Sequence, residues 1–331
     1  MVKTLLRILI NTAIGIALIY FWLKLVDVDE ILHALESFNP VILIPAVLFM
    51  ATATILKALR FRVLLSEIVK VPALKIINLT FLSQLLSFTI PIRLGELTKG
   101  VYLSTEYGLH FGKAVIWVFL DRFLDFWAVL GLSLALLLIV PTDLPEGLAP
   151  SLFIAAIVAS TLVILTVLKP EIFKKLTNIL SNLIPVNSVK KKFVQLGFFM
   201  IDCFSLLKGN SKRSLLILAL TILATFCEGL SWYVILSAFI QDLSILKVWL
   251  GSMLNSLTFI IPAAPGYVGS AEAAGLAVFS YGLGLDKTFV SAATIVVHAL
   301  SLIYILGTGI YGLYALKFNM GLVWKKVLRK D

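Results

Sequence analysis

The sequence predicts an all-α integral membrane protein, built as an inverted-topology repeat with two re-entrant helical hairpins and about six full crossings. Three observations carry that expectation. The 331-residue chain is 60% hydrophobic and 14% charged, with several apolar runs of the roughly 20 residues that a hydrocarbon core requires. Its Lys and Arg residues gather on one side of those runs. Two shorter apolar stretches are also interrupted in the same way, by Pro, then Gly, then Glu.

The first interrupted stretch reads Ser87-Phe-Thr-Ile-Pro91-Ile-Arg93-Leu-Gly95-Glu96, and the second runs from Thr258 through Pro262, Pro265, Gly266 and Gly269 to Glu272. Pro removes a helical hydrogen bond and Gly permits a sharp turn, so each stretch reads as a broken helix. Ile76 to Ile90, which leads into the first break, would reach only about 22 Å at the helical rise, enough to enter a bilayer but not to cross it readily. Leu246 to Leu285 forms the second hairpin.

Full spans are read at about 5–23, 41–59, 114–139, 151–168, 214–240 and 288–316. The first ends in Tyr20-Phe21-Trp22 without a small-residue cleavage site, so it reads as a retained span and not a signal peptide. Of the 28 Lys and Arg residues, 22 fall in loops and tails on the side of the termini and 3 (Lys24, Lys247, Lys287) on the other. Arg93 and Lys99 lie in the first hairpin and Arg122 lies inside a span. The positive-inside rule therefore places both termini in the cytoplasm, in a cell membrane. The net charge of +10 reads as membrane orientation and contact with anionic headgroups, which excludes nucleic acid as a partner.

Between the fourth and fifth spans, Phe193, Leu196, Phe199, Met200, Cys203, Phe204 and Leu207 recur at helical spacing between Lys clusters. That segment is expected to lie in the headgroup plane. Cys203 and Cys227 form no metal or redox motif and read as structural thiols. One membrane domain covers residues 1–331, with a first repeat at 41–140, a connecting region at 141–211 and a second repeat at 212–316.

The repeat is visible as a register. Lys75 and Lys247 differ by 172 positions, Pro91 and Pro262 by 171, and three pairs differ by 176: Glu96 and Glu272, Gly108 and Gly284, Arg122 and His298. The charge map makes the second copy inverted. Inverted repeats with discontinuous helices that meet near the midplane are the plan of alternating-access transporters.

Candidate site residues follow from charge inside apolar sequence. Arg122 lies about 12 Å deep by helical rise, where a charge must face protein, a partner or water. It can pair with Asp121 or Asp125, or present its fork to a lipid phosphate. Glu96 and Glu272 open the second halves of the hairpins, where each is a helix cap or part of a cation or proton site. His298 is a packing residue, a phosphate ligand or a proton shuttle. Arg93 is a further headgroup contact, and Glu228 is a coupling residue or an interhelical hydrogen-bond partner. Gly266 and Gly269 either let backbone N–H groups approach an anion or simply form a tight turn. No nucleotide, metal or nucleophile motif is present, so no cofactor, no metal and no enzymatic activity are expected.

At Pro91-Ile-Arg93-Leu-Gly95-Glu96, Asp121-Arg122-Phe-Leu-Asp125 and Pro265-Gly266-Tyr-Val-Gly269-Ser-Ala-Glu272, the chain resembles the membrane region of the lysylphosphatidylglycerol synthase, or flippase-like, family over nearly its whole length. That resemblance implies handling of lipids across a bilayer. Aminoacyl transfer is not carried over, because no soluble domain follows Lys317, and His298 stands where the family pattern places Arg. The expected function is a flippase-like translocase for an anionic, phosphate-bearing lipid or polyprenyl-phosphate-type carrier. It would be driven by a lipid gradient or by coupled protons or cations. The alternatives are an intramembrane headgroup-modifying enzyme or enzyme subunit and a proton- or cation-coupled solute transporter. Membrane lipids are the expected partners, with a homo-oligomer and a separate lipid-modifying enzyme left open.

Overall fold

Helices form here along the apolar runs and tolerate interior glycines such as Gly131 and Gly309; capping carboxylates at Asp27 and Asp286 start two of them. The structure, a computed structural model, describes residues 15–89, 95–143, 147–205, 211–258 and 264–319. Pro91, Arg93 and Pro262 lie outside the described residues. In order the helices are α1 (Gly15–Leu25), α2 (Val28–Glu36), α3 (Leu43–Leu65), α4 (Ala73–Thr89), α5 (Leu97–Glu106), α6 (Phe111–Leu137) and α7 (Leu148–Leu168). They continue with α8 (Pro170–Ser181), α9 (Asn187–Ser205), α10 (Ser211–Leu236), α11 (Ile245–Thr258), α12 (Ser270–Gly275) and α13 (Lys287–Ala315). A wider π turn, Leu276–Gly282, prolongs α12. No strand occurs among the described residues.

The protein is a helical membrane protein. Three helices are long and apolar enough to cross by length and composition: Pro40–Leu65, Ser211–Leu236 and Lys287–Ala315. Large apolar side chains such as Leu48, Leu215, Ile303 and Ile310 point outward, which suits hydrocarbon and not water. α6 is as long, at 27 residues, but carries Asp121, Arg122 and Asp125.

Contacts sort the chain into two ends. At the basic end, Arg213 pairs with Glu67, and Tyr102 lies 6.1 Å from the Phe318 ring. Phe61, Val71, Ile76, Leu79, Tyr102 and Trp117 share one cluster there, so the start of α4 and the finish of α5 lie together. At the acidic end, Phe38 stacks on Phe239 and the Asp143 N–H donates to the Gly282 carbonyl. Val248, Leu250, Phe279 and Leu283 pack with Leu236 and Val140 in a second cluster, so the start of α11 and the end of the π turn also lie together.

α3 and α10 pack along each other antiparallel. Going up α3, Ala46, Lys57 and Arg60 meet Ser231, Glu228 and Thr221 going down α10. α4 packs along α13, where Gly309 and Gly312 leave no room for a Cβ against Leu85 and the Asn78 carbonyl. Small residues let helix backbones approach closely in a membrane.

Element boundaries repeat at the register of the sequence. α4 and α11 begin 172 positions apart, at Ala73 and Ile245; α6 and α13 begin 176 apart, at Phe111 and Lys287. Gly108 (φ +67°) and Gly284 (φ +66°) adopt the same left-handed conformation. Each is followed by the same wide hydrogen bond, reaching back six positions, from the Leu109 N–H to the Leu103 carbonyl (3.4 Å) and from the Leu285 N–H to the Phe279 carbonyl (3.1 Å). A left-handed Gly permits this reversal at the end of a helix.

Two segments between the spans read in sequence are helical. Val26–Asn39, which falls between the spans read at 5–23 and 41–59, contains α2, capped by the Asp27 carboxylate and burying Ile31 and Ala34. The long connection, read as carrying amphipathic helices, holds two. α8 and α9 pair through Gly197 against Thr177 and through Lys174, 3.1 Å from Asp202.

Candidate functional site

Asp121 and Asp125 share a face of α6 one turn apart, and α3 brings Arg60 against both. The Arg60 Nε and Nη2 groups donate to Asp121 Oδ1 at 3.0 and 2.7 Å, and Nη2 also donates to the Asp121 carbonyl at 3.3 Å. Nη1 donates to Asp125 Oδ1 at 2.5 Å and to the Thr221 hydroxyl at 3.3 Å. The guanidinium thus makes five hydrogen bonds to four acceptor atoms, and the side chain is 0% exposed. Sequence reading placed Arg60 in a basic loop. The helix instead continues to Leu65 and carries Arg60 inside.

Arg122 is different. Its Nη2 lies 2.7 Å from Asp121 Oδ2 and its Nη1 lies 3.2 Å from Asp125 Oδ2 and 3.8 Å from Glu96 Oε1. Its Nε has no partner among the described residues, and the side chain is 34% exposed. Glu96 opens α5 without capping it through its side chain. Its other oxygen lies 2.9 Å from Lys99 Nζ, which is buried over the Phe61 ring. Lys57 reaches Glu228 across α3 and α10 at 2.6 Å and also acts on Asp125. Four cations (Lys57, Arg60, Lys99, Arg122) therefore meet four carboxylates (Glu96, Asp121, Asp125, Glu228), and the assembly is neutral.

The Gly95 carbonyl accepts from the Ser83 hydroxyl at 3.3 Å, and a Cβ at Gly95 would collide with the backbone of Leu86 and Ser87. The chain therefore passes back close against α4.

The second turn is built differently. Gly266 (φ +74°), Tyr267 (φ +58°) and Gly269 (φ +80°) all occupy the left-handed region, which is costly for Tyr. Glu272 Oε2 accepts the Gly269 N–H at 2.8 Å, half of a capping box. Its Oε1 lies 2.5 Å from His298 Nδ1, while His298 Nε2 lies 2.7 Å from the Gly266 carbonyl. Glu272 is thus both cap and ion-pair partner, and the Gly269 N–H is committed to it. Gly15 of α1 packs against this turn at Ala264 and Val268.

The two stretches meet. Phe88, at the end of α4, lies 5.9 Å from the Tyr267 ring and 6.4 Å from the His298 ring, and a Cβ on Gly266 would sit 3.4 Å from it. Of the residues singled out in sequence, Arg122, Asp121, Asp125 and Glu96 come together, and Glu272, His298, Gly266 and Gly269 form a second group. Glu228 joins the first through Lys57. Sequence reading missed Arg60, Lys57 and Lys99 as partners; of these only Lys99, three residues after Glu96, carried a local signal.

Residues 8–309 match the family described as the lysylphosphatidylglycerol synthase TM region. The chain belongs to that family. Family membership associates this membrane domain with lipid handling, and the match spans both charged groups and both turns. No curated protein matches the chain.

Proposed function

We propose that this family member is a secondary lipid translocase, which moves an anionic phosphate-bearing lipid between leaflets by alternating access. The observation that carries the reading is Arg122. Arg60 is saturated by protein acceptors, whereas Arg122 keeps an unpartnered Nε and a third of its side chain open beside the turn that begins α5. Because the surrounding charges cancel, a lipid phosphate binds by displacing a carboxylate. The weakest-held contact is Glu96 at 3.8 Å.

Alternating access rests on a second reading, that the α4–α5 and α11–α12 units are re-entrant hairpins of inverted copies. Paired helix starts, paired left-handed Gly turns at 176 positions and antiparallel α3 and α10 support it. Hairpin tips that touch at Phe88 and Tyr267 suit a midplane site between copies. With six crossings, the basic end faces the cytoplasm of a cell membrane.

Reconstitution in liposomes holding headgroup-labelled phosphatidylglycerol tests this. The protein should expose inner-leaflet label to an impermeant quencher, and Arg122→Ala should slow that exposure about tenfold or more, the loss expected for one charge-assisted contact. Leaflet exchange no faster than in protein-free liposomes sinks the reading.

A further inference from the structure

Glu96 and Glu272 occupy matching positions, but their cations differ in kind. Glu96 faces Arg122 and Lys99, which keep their charge at any physiological pH. Glu272 faces a histidine. The hydrogen-bond geometry then fixes a proton count. The Gly266 carbonyl can only accept, so His298 Nε2 must carry its hydrogen. At 2.5 Å, Nδ1 and Glu272 Oε1 cannot both present lone pairs, so a second proton lies between them, on one or the other.

We propose that the His298–Glu272 pair is a proton-binding site that ties the second turn to α13, and that loss of its proton releases that turn. His298 holds the turn at two points, directly at the Gly266 carbonyl and, through Glu272, at the Gly269 N–H. Removing the shared proton leaves two lone pairs opposed and a net negative charge among apolar side chains, which parts the ring from the carboxylate. Among the described residues, Glu272 is the ionisable side chain that acts on His298. On the elements packed round it, Tyr267 lies in the turn and Tyr304 on α13. Lys57 is held by Glu228, Arg60 by Asp121 and Asp125, Glu30 by the Thr288 hydroxyl, and Lys75 lies over the Tyr107 ring. Protonation therefore acts on one copy alone, which would give the translocation cycle proposed above a proton-coupled half; in this respect the inference rests on that reading.

The test measures the turn and not the lipid. Spin labels at Val268→Cys and Ile303→Cys, both outward-facing, are placed in a full-length chain whose Cys203 and Cys227 are replaced by Ser. Their separation is measured by pulsed electron resonance at about pH 6 and about pH 9.5, on either side of the histidine range. A single distance at the lower pH and a second, different one at the higher pH is expected. His298→Arg supplies a permanent cation, and Glu272→Gln supplies an amide N–H that can donate to an uncharged Nδ1, so either variant should show one unchanging distance. Identical distances at both pH values in the parent chain, or a pH shift that persists in both variants, overturns the proposal. Since lipid exchange is not measured, failure of translocation in liposomes leaves this result standing, and the reverse also holds.

Discussion

Arg60 and Arg122 lie on neighbouring helices, share Asp121 and Asp125, and divide two tasks between them. A buried ion pair contributes little net stability once desolvation is counted, but removing one partner leaves the others uncompensated. Arg60→Met should therefore destabilise the protein by about 3–5 kcal/mol, read as a lower unfolding midpoint in detergent. Arg122→Ala should lose much less stability, because its side chain is partly exposed and one donor is already unpartnered. Equal losses in the two variants would contradict the division. Arg122, Asp121 and Asp125 were legible as charge inside an apolar run. Arg60 was not, because it sits where the run fades into basic residues and its partners lie 61 and 65 positions away. Pairings of that range have no local signature. His298 and Glu272 were each legible, but the carbonyl that fixes their proton count was not, since a backbone acceptor leaves no mark on residue identity.

At the scale of elements, close approach between α4 and α13 depends on a glycine face. Gly309→Leu should clash with Leu85 and cost about 1–3 kcal/mol by overpacking. Gly307→Ala, two residues away with open space around its Cβ position, should instead stabilise α13 by about 0.5–1 kcal/mol. Thermal unfolding of the two variants separates them, and a shift in the same direction for both would remove the packing argument. The interruptions at both stretches could be read directly from Pro, Gly and Glu. α2 could not, because its polar composition masks an Asp27 cap and a two-residue buried stripe. α8 is too short to span, and its apolar residues Ile172, Leu176 and Ile179 lie exposed, as on a helix at an interface.

For the whole molecule, the informative contact is Lys57 with Glu228, whose positions differ by 171, close to the register of the two copies. On the proposed two-copy reading, equivalent positions that touch each other lie on the axis relating the copies, here with opposite charges. Lys57→Glu alone puts like charges together beside Asp125, and Glu228→Lys alone does so with the opposite sign. The double swap should recover about 1–3 kcal/mol of the summed loss, measured as a double-mutant cycle on detergent stability. Simple additivity would place the pair off the axis. Fold class and register were readable because membrane spans and duplicated punctuation are long-range patterns in sequence. Packing of α4 on α13, and of α11 on α6, was not, since each joins helices far apart in the sequence.

That interlacing has a consequence for biogenesis. When Lys57 enters the bilayer, its counterion has not been made, and the ribosome must add 171 more residues before Glu228 exists. At about 5 to 20 residues per second the wait is roughly 10 to 30 s. Over that interval the nascent first half holds an unmatched ammonium group that must reach the headgroups or shelter beside the translocation machinery until α10 arrives.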